Sequence, residues 1–202
     1  MTRASDTASF TQAFDAIDDL HRNDPQSVEI DGAAEPKELV YARRMSAWLE
    51  YTHPAPADTL RLAVRAQHLQ RWLVPRTEYP EGRVGYLTWR RDQSHQAGDT
   101  TAILMQQAGY SEGDAERASQ IIRKQGLGRD EDVQTLEDCA CLVFLENYFA
   151  DFSRTLERDR MIRIVQKTWR KMSPAARRLA LALPMSDASM ALVNEALNDA
   201  PG

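Results

Sequence analysis

LEDCACLVFLENYF, residues 136–149, is the most apolar stretch of the chain. It runs for about four helical turns without a glycine or proline and reads as the central buried helix of a segment over 133–152. Helical signals continue on both sides of it. Downstream, a helix is expected over 156–172, another opens at Ser173-Pro174 with a cap and a first-turn proline, and a last short one covers 187–197. Upstream, Ser111-x-x-Asp114 starts a helix that stops at Gly126, and a longer one spans 85–110, weakened near its middle by Gly98. Residues 9–20 place Phe10, Phe14, Ile17 and Leu20 at a helical period before Asp24-Pro25 ends it. A connector over 27–35 holds a short extended piece at 28–30. Pro36 opens a helix carrying Leu39, Met45, Trp48 and Leu49, which His53-Pro54-Ala55-Pro56 breaks. Asp58 caps the next helix, over 59–74, which Pro75 ends, and 76–84 form a loop.

Nine glycines and nine prolines in 202 residues, with 43% hydrophobic residues, fit an all-α protein with a real core. We expect a single-domain helical bundle over 1–202, ordered from about 8 to 198. No apolar run approaches the roughly 18 residues that span a bilayer. The opening MTRASDTASFTQAF lacks the apolar core of a signal peptide. Cys139 and Cys141, two apart on one helix, form no disulfide framework. The expected setting is cytoplasmic, with no membrane partner. A formal net charge of -5 argues against extended nucleic acid as a partner.

Charge is nonetheless concentrated. Residues 61–91, RLAVRAQHLQRWLVPRTEYPEGRVGYLTWRR, hold seven arginines against two acids, a local charge of +5, with Trp72, Tyr79, Tyr86, Trp89 and His68 interleaved. Arginine rather than lysine throughout points to bidentate recognition of phosphate or carboxylate. Arg43, Arg71, Arg76, Arg83 and Arg90 are the expected clamp for a small anionic ligand or phosphorylated substrate, with Tyr86 placed to stack on it. The competing reading of the arginines is a mesh of structural ion pairs.

Of the four histidines, His21 reads as a surface residue at a helix end and His53 as part of a loop. His68 sits mid-helix among apolar residues, where acids from other helices can converge on it. Glu38 opens an earlier helix, and Asp138 stands at the mouth of the most apolar one, where a carboxylate is costly unless paired or ligating. Its neighbour Glu137 points about 100° away and reads as solvated. Imidazole and carboxylate ligands suit Mn, Fe, Co, Ni or Zn. Glu50 and Glu146 are the candidate catalytic proton acceptors.

The order Glu38, His68, Asp138 on three helices resembles the pattern of HD-domain metal-dependent phosphohydrolases. Glu38 stands where that pattern has its first histidine, and Leu69 where it has the aspartate of the His-Asp pair. A further downstream histidine in such domains would correspond to His95. The resemblance implies an HD-like bundle with a divalent metal held by Glu38, His68, His95 and Asp138, hydrolysing a small phosphorylated or nucleotide substrate. A degenerate, non-catalytic HD-like domain that binds an anionic ligand is the alternative, and a helical protein-interaction module is the third class.

A closer resemblance, from about Phe10 to Leu197, is to the family of domain of unknown function 4202. Pro36-Lys37-Glu38-Leu39, Tyr41, Ala66-Gln67-His68, Arg71-Trp72, Gly82-Arg83, Gly85-Tyr86-Leu87, Trp89-Arg90, Leu136-Glu137-Asp138 and Lys167-Thr168-Trp169 carry it. It implies the fold and almost nothing about the chemistry.

Overall fold

The computed structural model describes residues 3–198, with side chains from residue 7 onward. The chain is all-α, with ten α-helices and one short hairpin among the described residues. The ends of the expected 1–202 span lie outside them. Packing divides the chain into two compact units, with the boundary in the sequence between Gly126 and Leu127.

The first unit holds α1 (Arg3–Arg22), β1 (Ser27–Ile30), β2 (Ala33–Pro36), α2 (Lys37–Thr52), α3 (Asp58–Ala66), α4 (Gly82–Gln107) and α5 (Glu112–Ile122). Its hub is α3, which packs against α1, α2, α4 and α5. Leu60, Leu62, Ala63, Val64, Arg65 and Ala66 are all buried there. The connector at 27–35 is an antiparallel hairpin, with Ser27 opposite Pro36 and Ile30 opposite Ala33. Asp31 and Gly32 take φ of 49° and 81°, as a tight two-residue turn requires.

The helix expected over 59–74 stops at Ala66. There the backbone turns, with Gln70 in the left-handed region at φ 56°, before single 3-10 turns at Arg71–Leu73 and Arg76–Glu78. The turn places Leu69 in the core at 1% exposure and carries His68 off the helix towards α2. Conversely, α4 runs unbroken through Gly98. Gly98 lies against α5, where a Cβ would stand 2.7 Å from Ser119 Oγ, so its small size serves the crossing.

The second unit holds α6 (Glu131–Asn147), α7 (Phe149–Ser153), α8 (Arg158–Lys171), α9 (Pro174–Leu181) and α10 (Asp187–Asn198). Residues 136–147 lie in α6, which packs on α7, α8 and α9; the helix expected over 133–152 is interrupted at Tyr148, and Phe149 opens α7. Asp130 caps it, accepting from the backbone N–H groups of Asp132 and Val133. Ser173 caps α9 in the same way, through Ala176 N–H. The two neighbouring acids of α6 exchange their expected roles. Glu137 is buried at 3% exposure beside Lys171, 3.1 Å away, whereas Asp138 is half-buried on the stripe it shares with Gln134.

Candidate functional site

The cluster around His68 starts from α2. Asp24 accepts the Glu38 backbone N–H at 2.9 Å and so caps the first turn, which fixes the Glu38 side chain near the end of α1. One turn on, Tyr41 stacks flat against the His68 ring, with centroids 4.1 Å apart and planes at 9°, and its hydroxyl donates to Gln67. His68 Nδ1 lies 3.2 Å from Glu38 Oε2. On the other side Arg71 Nη1 lies 2.7 Å from Nε2 and 3.2 Å from Nδ1. The ionised Glu38 carboxylate can only accept, so the neutral imidazole carries its proton on Nδ1 and keeps Nε2 unprotonated, with the Arg71 guanidinium close against the ring. The Arg71 guanidinium also rests over the Trp89 ring at 4.6 Å. Trp89 is anchored by donating its indole N–H to the Val74 carbonyl at 2.9 Å.

Burial pushes the His68 pKa down to about 4, and the Arg71 charge adds to that fall while Glu38 opposes it. The imidazole is therefore neutral at physiological pH. Burial works to raise the Glu38 carboxyl, but the hydrogen bond from His68 and the nearby charges of His68 and Arg71 bring it below the usual range. Both shifts have one consequence for stability. An unfolded chain protonates His68 near 6.5, whereas the folded one resists until about 4, so stability falls as pH drops between those values. Glu38 adds to the loss at the acid end, below its ordinary value of 4.5, because a depressed carboxylate keeps its contribution until pH falls past that value. Denaturation midpoints between pH 7 and 4 should fall steadily, and His68→Gln should flatten the slope.

The candidate site residues divide sharply. Glu38, His68 and Arg71 meet, and Arg90 and Tyr86 are near enough to act on Arg71 electrostatically. Arg90 lies over the Tyr86 ring at 5.9 Å. Arg76 instead donates to the carbonyls of Tyr79 and Pro80, both at 2.8 Å, and clamps its own loop. Arg43 pairs with Glu35 on the surface, and Arg83 is exposed. His95 is exposed on α4 near Asp92. Glu50 is exposed at the far end of α2, 12 residues and about 18 Å along the axis from Glu38. It lines an open hollow of about 240 Å³ with His53 and Arg61. Asp138 belongs to the second unit, where its Oδ1 accepts from Ser173 N–H and Gln134, both at 2.9 Å. Glu146, also in that unit, is exposed and accepts from Asn147.

Among the described residues no group of three or more His, Cys, Asp or Glu converges as a metal centre requires. The His68 nitrogen that a cation would use faces the Arg71 guanidinium, and Leu69 is a core aliphatic. This donor set does not fit a divalent ion.

Tyr41, to which the sequence assigns no role, is part of the site through its stack on His68. His21, expected at the surface, is fully buried instead: its Nε2 lies 3.0 Å from the Arg65 carbonyl, and burial pushes its pKa down. The signal was present, since His21 follows Ile17 by four residues on the buried face of α1.

Compared with known proteins, the chain matches the family model described as Domain of unknown function (DUF4202) over residues 11–193. No curated protein and no solved structure matches it.

Proposed function

The chain belongs to the domain of unknown function (DUF4202) family, and from the cluster it carries we propose that the protein binds a small phosphorylated ligand at Arg71 and Arg90. One observation carries this reading. Arg71 is half-buried, lies against a neutral imidazole and an indole face, and makes no direct ion pair among the described residues; its nearby carboxylate, Glu38, acts on it across the His68 ring. A partly desolvated guanidinium with no carboxylate in direct contact is costly, and a bound phosphate would supply that contact. Arg90 adds a second cation and Tyr86 a half-exposed ring on which a planar group can rest.

A second reading adds turnover, and the orientation of His68 favours it. Glu38 holds the imidazole with Nε2 as acceptor, the arrangement a general base needs. Once Arg71 turns to the phosphoryl group, Nε2 is open to take a proton from an attacking water.

Calorimetric titration with inorganic phosphate, sugar phosphates and nucleoside monophosphates tests the binding. Arg71→Met should weaken a ligand that binds by about tenfold to a hundredfold, the equivalent of one charge-assisted hydrogen bond of about 1.5–3 kcal/mol. Absence of binding by every phosphorylated compound, or unchanged affinity in the variant, would overturn the reading. Release of phosphate from a bound ester, lost in His68→Gln while binding persists, would establish turnover.

A further inference from the structure

The densest charge in the chain lies away from this cluster, on the second unit. Between Arg158 and Arg178 there are eight cations, six of them arginine, against one acid, Asp159. The formal net charge of the whole chain is -5. α8 buries Met161 and Val165, and the side opposite them presents Arg160, Arg163, Lys167 and Arg170, all exposed. Steps of three, four and three residues keep these four within one stripe, a row about 15 Å long. Arg158 is engaged by Glu195 and Lys171 by Glu137. Among the described residues no carboxylate pairs with any of the four in the row. Like charges this close repel one another.

We propose that this face of α8 binds the sugar-phosphate backbone of a short single-stranded nucleic acid. Two observations choose that occupant. The row repeats its charge every 4.5–6 Å along the helix axis, which suits a polymer with a fixed charge on every unit. Arginine predominates, and its planar fork matches phosphate oxygens. A membrane surface is disfavoured because α8 has no large exposed apolar side chain to insert. The acidic remainder of the chain would repel a long duplex, whereas a 15 Å row engages about four phosphates.

Fluorescence anisotropy of a short labelled oligouridine with the full chain tests this. Neutralising about four phosphates of a single strand predicts a log–log salt slope near -3, an affinity loss of about fiftyfold between 50 and 200 mM salt. The double variants Arg160→Gln/Arg163→Gln and Lys167→Gln/Arg170→Gln should each reduce the slope by about half. They alter exposed, unpaired side chains, and circular dichroism checks that they fold. The charge-matched control Arg22→Gln/Arg129→Gln should bind like the parent. The proposal is overturned by absent binding at 50 mM salt or by slopes unchanged in both double variants. Equal binding of poly-glutamate, or of vesicles rich in anionic lipid, would overturn it too.

Discussion

Asp18→Ala is expected to destabilise the first unit by about 3–5 kcal/mol, the largest effect of any single change here. Asp18 receives both arms of Arg65, at 2.7 Å from Nε and 2.8 Å from Nη2, and the two side chains are only 11% and 7% exposed. Removing the carboxylate strands a guanidinium inside the hub helix. Its remaining neighbours are the Ser46 hydroxyl at 3.2 Å and the Phe14 ring at 4.5 Å, and neither carries charge. A domain of ordinary stability, about 5–15 kcal/mol, would lose much of its margin. Tryptophan fluorescence in urea is a suitable probe, because Trp48, Trp72 and Trp89 all lie in this unit. Replacing both partners, as in Asp18→Leu/Arg65→Met, should recover most of the loss. A midpoint unmoved by Asp18→Ala would mean that the buried pair is not what holds α1 to α3.

Gly85→Ala is the second large effect. A Cβ at this buried position of α4 would lie 1.9 Å from the Pro80 carbonyl oxygen and 2.8 Å from its carbon. Both are backbone atoms, and Arg76 pins that loop through the Tyr79 and Pro80 carbonyls. Either the loop or the start of α4 must move, at a cost at or above the usual 1–3 kcal/mol of overpacking. The displacement should also reach the site, because Trp89 lies one turn further along and supports Arg71. Weakened phosphate binding should therefore accompany the lower melting temperature. Gly98→Ala offers the contrast: its nearest neighbour is the tip of Ser119, 2.7 Å away, which can rotate aside. It should cost less than Gly85→Ala. The reverse order would contradict the packing described here.

The sequence disclosed the helices most readily where chemistry and periodicity agreed. Residues 136–149 are apolar on nearly every side, and the caps at Ser111 and Ser173 occur as residue type predicts. The hairpin is legible in part: the extended piece at 28–30 becomes β1, while its partner β2 and the Asp31-Gly32 turn fall in what the sequence presents as a connector. The end of α3 was not legible. No glycine or proline marks Ala66, and the turn is made by tertiary demand, with Leu69 entering the core and His68 meeting Tyr41 and Glu38. Nor does a composition shift announce the boundary at Gly126, although Gly126 and Gly128 both take positive φ there.

The site was half visible for a related reason. Rare residue types drew attention to Glu38 and His68, and the structure joins them. Arginines of one type looked alike in sequence, yet Arg76 ties its own loop while Arg71 faces the histidine. Only the fold separates those roles. Glu137 and Asp138 exchanged theirs because α6 is buried almost all round, so a one-residue rotation decides which acid is enclosed.

The central claim is that Arg71 leaves His68 when an anion arrives, and the titration of the His68 imidazole tests it most directly. Followed by nuclear magnetic resonance in the ligand-free protein, His68 should titrate at about 4. With a bound phosphate compound present, the titration should move upward, because a positive neighbour at Nε2 has been exchanged for a negative one. A value near 6.5 without ligand, or no change when a phosphate compound binds, would contradict the account.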